Sequence, residues 1–127
     1  MAHSRILDVG QCGFDHRMIA SRLRSVFEAE VVAAATPAEA LEQLRAGRFD
    51  LVLVNRVGDR DGAPGIDLIR TLKANADLAT VPVMLVSDHE EAQADAEAAG
   101  AVPGFGKSQL SERETQERLA RHLTPSN

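Results

Sequence analysis

Five short apolar runs, separated by segments of helical spacing, constrain this chain more than any other feature. Ile6 to Val9, Val31 to Ala34, Leu51 to Val54, Val81 to Val86 and Ala101 to Phe105 each read as a strand. Their apolarity is continuous rather than alternating, which suits a parallel sheet covered on both faces. Between them, Ile19, Leu23, Val26 and Phe27 mark one face of a first helix, and Leu41 with Leu44 a second. Ile66, Ile69 and Leu72 mark a third, the alanine-rich stretch from Glu90 to Ala99 a fourth, and Leu119 with Leu123 a fifth. Strand and helix alternate throughout, the pattern of an α/β domain built as (βα)5.

Local signals agree with this parse. Thr36, Pro37 and Glu39 form a capping box with proline at the first helical position, and Gly47 is expected to stop that helix in a left-handed conformation. Ser111 with Glu114 repeats the box, while Asp15 and Asp88, the latter with Glu91, are expected to cap the first and fourth helices. With four Phe and no Tyr or Trp, the core must come from Ala, Val, Leu and Ile. The 127 residues are expected to form one domain, residues 1–127, with no output domain.

Charge and composition exclude several functions. A net charge of -5 argues against nucleic acid or an anionic membrane as partner, since both need a basic footprint. No apolar run reaches the ~18 residues of a spanning helix, and MAHSRILDVG lacks the apolar core of a signal peptide. Cys12 is the only cysteine, so no internal disulfide forms and a reducing cytoplasm is expected.

In an open parallel sheet, reactive groups gather at the carboxyl ends of the strands. There the chain places Gly10, Gln11, Cys12, Asp15 and His16 after the first run, and Asn55, Arg56, Asp59 and Asp61 after the third. Ser87, Asp88 and His89 follow the fourth, and Lys107 and Ser108 the fifth.

VPVMLVSD, AGAVPGFGKS, GIDLIRTLK and FDLVLVN together resemble the receiver domains of bacterial two-component response regulators, over essentially the whole chain. The resemblance implies a doubly wound, flavodoxin-like sheet of five parallel strands with five helices, in the order 2-1-3-4-5. It also implies a role in phosphorelay signal transduction. In that family the third strand ends in an aspartate that accepts a phosphoryl group from a histidine kinase; the matching residue here is Asn55. A carboxamide is a poor nucleophile and a weak ligand for the magnesium ion that such chemistry uses. The two acids that hold magnesium after the first strand match Gly10 and Gln11, so magnesium is not expected and no other metal or cofactor is implied. Ser87 and Lys107 match retained residues of the site. Ser108 stands where the family has proline, and the switching aromatic of the fifth strand would fall at Gly104, one residue before Phe105.

These readings converge on a pseudo-receiver: a non-enzymatic signalling module that binds a protein partner, or a second copy, without phosphorylation. The resemblance points to the face of the fourth helix, fifth strand and fifth helix for that contact. Asn55 is expected to act as a neutral plug, its oxygen accepting from Lys107 or Ser87 and its nitrogen donating to a loop carbonyl, so that Asn55→Asp would be tolerated. Asp8 interrupts a buried strand and is expected to be a structural acid. Asp8, Asp59 and Asp61 are the candidates to pair with Lys107. The loop NRVGDRDGAPG is about two residues longer than the family pattern and offers Arg56, Asp59 and Asp61 for recognition.

Other readings stay open. Asp59 or Asp61 could accept phosphate in an unconventional receiver, or Ser87 and Lys107 could bind a small anion. A Cys12-dependent phosphatase is weaker. CGFDHR resembles the phosphate loop of low-molecular-weight tyrosine phosphatases, but four residues rather than five separate Cys12 from Arg17. The four histidines show no metal-ligand spacing, and the loop acids lack the glutamate that would complete a calcium loop.

Overall fold

A computed structural model describes residues 3–126. Along the chain run β1 (Ser4–Val9), α1 (Gly13–Val26), β2 (Ala29–Ala34), α2 (Pro37–Ala46), β3 (Leu51–Asn55) and α3 (Gly65–Ala74). They are followed by β4 (Val83–Val86), α4 (Glu90–Ala98), β5 (Val102–Phe105), a single 3-10 turn at Lys107–Gln109, and α5 (Arg113–Ala120). The five strands form one parallel sheet in the order β2-β1-β3-β4-β5, the doubly wound flavodoxin-like arrangement expected. Val9 pairs with both Ala34 and Val54, and Asn55 with Val86, so the strands end level and their following loops share one rim.

Two cores flank the sheet because successive side chains of a strand point to opposite faces. Leu7, Val9, Val52, Val54 and Leu85 meet Leu44, Leu68, Ile69 and Leu72 from α2 and α3. Ile6, Leu51, Leu53, Met84 and Phe105 meet Ile19, Leu23 and Leu119 from α1 and α5. Each large side chain fully withdrawn from water contributes about 1.5–3 kcal/mol. Asp8 shares the parity of Ile6 and therefore points at α1.

Helix ends follow the expectations in part. Thr36 caps α2, its hydroxyl oxygen accepting from the Glu39 N–H at 3.2 Å, with Pro37 at the first position. Gly47 is extended at φ -160, not left-handed, and a side chain there would meet only the movable Arg5 guanidinium, so nothing in the structure explains the glycine. Cys12, not Asp15, caps α1: its Sγ accepts from the Asp15 N–H at 3.4 Å, which places Asp15 inside the first turn. His89, not Asp88, precedes α4, and Asp88 instead accepts from the Ser108 hydroxyl at 2.5 Å. The box at Ser111 does not form, because the 3-10 turn delays the start of α5 to Arg113 and Glu114 pairs with Arg118 at 2.7 Å.

Between Met84 and Val86 the register of β5 slips, so that Val102 and Phe105 face them across one extra residue. The bulge turns Phe105 into the core, where it is 1% exposed. At Gly104 the backbone lies against the Leu85 carbonyl so closely that no Cβ fits, which rules out an aromatic at that position. All described peptide bonds are trans, including that at Ser108.

Candidate functional site

At the mouth of β1 and β3 the chain folds into a clamp of backbone carbonyls around one amide. Gly10 leaves β1 at φ +81, a conformation that favours glycine, and its N–H donates to the Ala34 carbonyl at 2.8 Å. Its carbonyl accepts twice, from Asn55 Nδ2 at 3.1 Å and from the Asp59 N–H at 2.9 Å. Asn55 Nδ2 donates again to the Val57 carbonyl at 2.8 Å. One side-chain amide thus joins the end of β3, the loop after β1 and its own following loop. Only a donor can do this, and a carboxylate has none.

The long loop after β3 is built and not merely solvated. Val57 and Pro64 pair as an antiparallel bridge, and the Gly58 N–H donates to the Ala63 carbonyl at 2.9 Å. Asp61 Oδ1 accepts from the Ala63 N–H at 3.0 Å, and Gly62 turns the chain at φ +69. Arg56, Asp59 and Asp61 are exposed on it, and Arg60 reaches Glu39 of α2 at 3.3 Å.

The groups that would hold magnesium in a receiver do not fit that ion here. Gly10 has no side chain, and a Cβ on it would lie 3.3 Å from Gly58 Cα. Asn55 presents N–H bonds where an anionic oxygen would be needed. Gln11 is neutral, and its buried side-chain amide makes no well-aligned hydrogen bond, although it lies close enough to the Asp8 carboxyl to favour its charged form. Among the described residues, no three His, Cys, Asp or Glu side chains come together as a metal site.

The mouth of β4 and β5 keeps Ser87 and Lys107 but engages them elsewhere. Ser87 is 8% exposed and its Oγ accepts from the His89 N–H at 3.1 Å. Lys107 Nζ donates to Asp15 Oδ2 at 2.8 Å. Neither bonds to Asn55, so the expected contact of the amide oxygen is not made, and the acid that takes Lys107 is Asp15 rather than Asp8, Asp59 or Asp61. The Lys107 hydrogen bond holds the Asp15 carboxyl below the usual carboxylate range.

Asp8 is a structural acid as expected, 1% exposed, with His16 Nδ1 2.7 Å from its Oδ2. Burial raises its pKa, and His16 opposes that shift. Cys12 lies at the start of the same helix, but its sulfur bonds only to the Asp15 N–H among the described residues.

Two residues escaped the sequence reading. The Gln93 side-chain amide of α4 donates to the carbonyls of Leu85 at 2.9 Å and Ser87 at 3.0 Å, and more weakly to Phe105 at 3.4 Å. From the other side, Arg118 of α5 donates to the Gly104 carbonyl at 2.6 Å. Gln93 thus ties α4 mainly to the end of β4, and Arg118 ties α5 to β5, where the bulge interrupts the ladder. Gln93 was discernible only as the one amide in EEAQADAEA, because its carbonyl partners on β4 and β5 are brought to it only by the fold.

No protein-family model and no curated protein sequence matches the chain. Solved structures do. The signal receiver domain of a DNA-binding response regulator from Colwellia psychrerythraea superimposes with a TM-score of 0.78 at 21% identity, over 93% of this chain and 96% of that one. A response regulator from Thermotoga maritima gives 0.77 at 21%, over 94% and 97%. The fold is that of a receiver domain. The chemotaxis protein CheY4 of Vibrio cholerae extends the likeness, with a TM-score of 0.76 at 21% identity over 96% of this chain and 100% of that one. A receiver fold explains the shared rim, while the residues on that rim are this chain's own. No described helix is long and apolar enough to cross a membrane.

Proposed function

We propose that this chain is a cytoplasmic signal-transduction module that uses the receiver fold to bind another protein without phosphoryl transfer. The observation that carries the proposal is the double donation of Asn55 Nδ2 to the Gly10 and Val57 carbonyls. In a receiver, the residue at this position must offer an anionic oxygen to phosphorus and to magnesium. Here it offers hydrogen, its neighbours are neutral, and the loop is already closed. On this reading the domain is non-enzymatic and uses neither magnesium nor another cofactor.

The face formed by α4, β5 and α5 is the proposed contact surface. Gln93 holds α4 to the end of β4, with a weaker bond to β5, and Arg118 holds α5 to β5, all through backbone carbonyls and not through the groups at Asn55. A surface fixed in this way is preorganised for a partner and loses less entropy on binding. Such a partner is a protein, not nucleic acid or membrane, given the net charge of -5.

A second reading is favoured by the likeness to solved response regulators: an unconventional receiver that accepts phosphate on Asp59 or Asp61, both exposed on the loop that follows Asn55. The alternative of an anion held by Ser87 and Lys107 is weakened by the pairing of Lys107 with Asp15. A Cys12 phosphatase lacks a base bonded to the sulfur. Intact-mass analysis after incubation with acetyl phosphate and magnesium separates the first two readings. The proposal expects an unchanged mass; stoichiometric gain of one phosphoryl group, mapped to Asp59 or Asp61, would establish the second reading in its place.

A further inference from the structure

Two surfaces of the domain are chemical complements of each other. On α1, Phe14 and Met18 stand one turn apart, 64% and 38% exposed, and among the described residues only Val57 shares that condition. The groove beside them runs to Leu110 and Ser111 and is bordered by Arg17 and Arg22, with no acid. Neither arginine has a carboxylate partner among the described residues.

α4 has the opposite character. Its sequence EEAQADAEA holds Glu90, Glu91, Asp95 and Glu97, all exposed, with no basic residue. None of these acids is in an ion pair among the described residues. Between α4 and β5 lies a groove of about 330 Å³, with Glu90 and Glu97 on its rim and Ala94, Pro103 and Gly104 along it. Arg118 also lines it, but its guanidinium is engaged by Glu114 and the Gly104 carbonyl. The volume is that of several water molecules, each about 30 Å³, and so admits a side chain.

We infer that a second copy of this chain docks α1, with Phe14 and Met18 leading, into the α4–β5 groove of the first. Arg17 and Arg22 then face Glu90 and Glu97, and the apolar pair leaves water over Ala94 and Pro103. Pairing α1 with α1 would bring four arginines together, two from each copy, and pairing α4 with α4 would oppose acids; both cost energy where the unlike pairing gains it. The helices α1 and α4 pack on opposite faces of the sheet, so the contact is head-to-tail. Each copy keeps one unused end, so the contact repeats from copy to copy into a ring or a filament. The inference rests on the proposed role of the α4–β5–α5 face in protein contact.

The test is sedimentation velocity of the full chain from micromolar to millimolar concentration, at low and high salt. Mass-average size should rise with concentration and fall with salt. Two surface variants, Phe14→Ser with Met18→Ser, and Glu90→Lys with Glu97→Lys, should each be monomeric alone, with circular dichroism confirming that both fold. Mixed, they should form a 1:1 dimer that grows no further, because the first keeps the groove and the second keeps α1. A monomeric wild type, continued growth of either variant, or a mixture that stays monomeric would overturn the inference. A monomeric wild type that also takes no phosphoryl group ends this inference and leaves the proposed function standing; assembly together with phosphoryl transfer does the reverse.

Discussion

The mouth of β1 and β3 has lost every acid that the receiver resemblance assigns to it, while the mouth of β4 and β5 has kept both of its matching residues. Yet the first is the more specifically rebuilt. Asn55 is bonded twice, Gly10 is fixed by its positive φ and by three hydrogen bonds, and the loop that follows closes on itself. In the second, Ser87 and Lys107 persist as residue types but have been redirected, to the His89 N–H and to Asp15. A matching residue therefore preserves a chemical group, not a role; the role depends on which partners the rest of the rim still supplies.

That contrast can be broken by mutation, and the largest effect belongs to Asn55. Asn55→Leu leaves the Val57 carbonyl without its side-chain donor and removes one of two donors to Gly10, at a cost of roughly 1–3 kcal/mol. Asn55→Asp should cost at least as much, because a carboxylate would face the same two carbonyl oxygens and Lys107 is held by Asp15. This reverses the tolerance expected when Lys107 was placed beside Asn55. Chemical denaturation of the three proteins is the check, and equal midpoints would remove the clamp from the account. Asn55→Asp should also stay unphosphorylated, since Gly10 and Gln11 still supply no acid.

The smaller effect lies in the other half. Lys107 and Asp15 are each partly exposed, so Asp15→Asn should lower stability by only about 0–1 kcal/mol at neutral pH. Because Asp15 has a depressed pKa, its contribution is present above the ordinary carboxylate value of 3.8 and is lost as pH falls through the lowered one. Wild type and Asp15→Asn should therefore converge in acid and separate toward neutrality. Asp8 runs the other way: its raised pKa favours the folded state below 3.8 and that advantage fades as pH rises through the raised value. Denaturation midpoints across the acid range measure both, and a gap that widens on acidification would contradict the assigned pair.

Much of this was legible in the chain. Continuous apolar runs identified the five strands, since burial on both faces leaves little room for polar residues, and Asp8 stood out for that reason. Asn55, Gly10 and Gln11 were legible as losses because they fall at the ends of those runs. What could not be read was partnership. Asp15 looked like a helix cap, but Cys12 takes that place and frees its carboxylate for Lys107, 92 residues away in sequence. The bulge that buries Phe105 depends on how β5 meets β4, a register that two short strands do not encode locally.

The central claim is that the β1–β3 mouth is complete without metal or phosphate. Nuclear magnetic resonance of the labelled chain reads this directly, through the side-chain amide signals of Asn55 and the backbone signals of Gly10 and Asp59. Titration with magnesium, then with magnesium and beryllium fluoride as a phosphoryl mimic, should leave all of them in place. Saturable shifts centred on these residues would contradict the account and return the site to receiver chemistry.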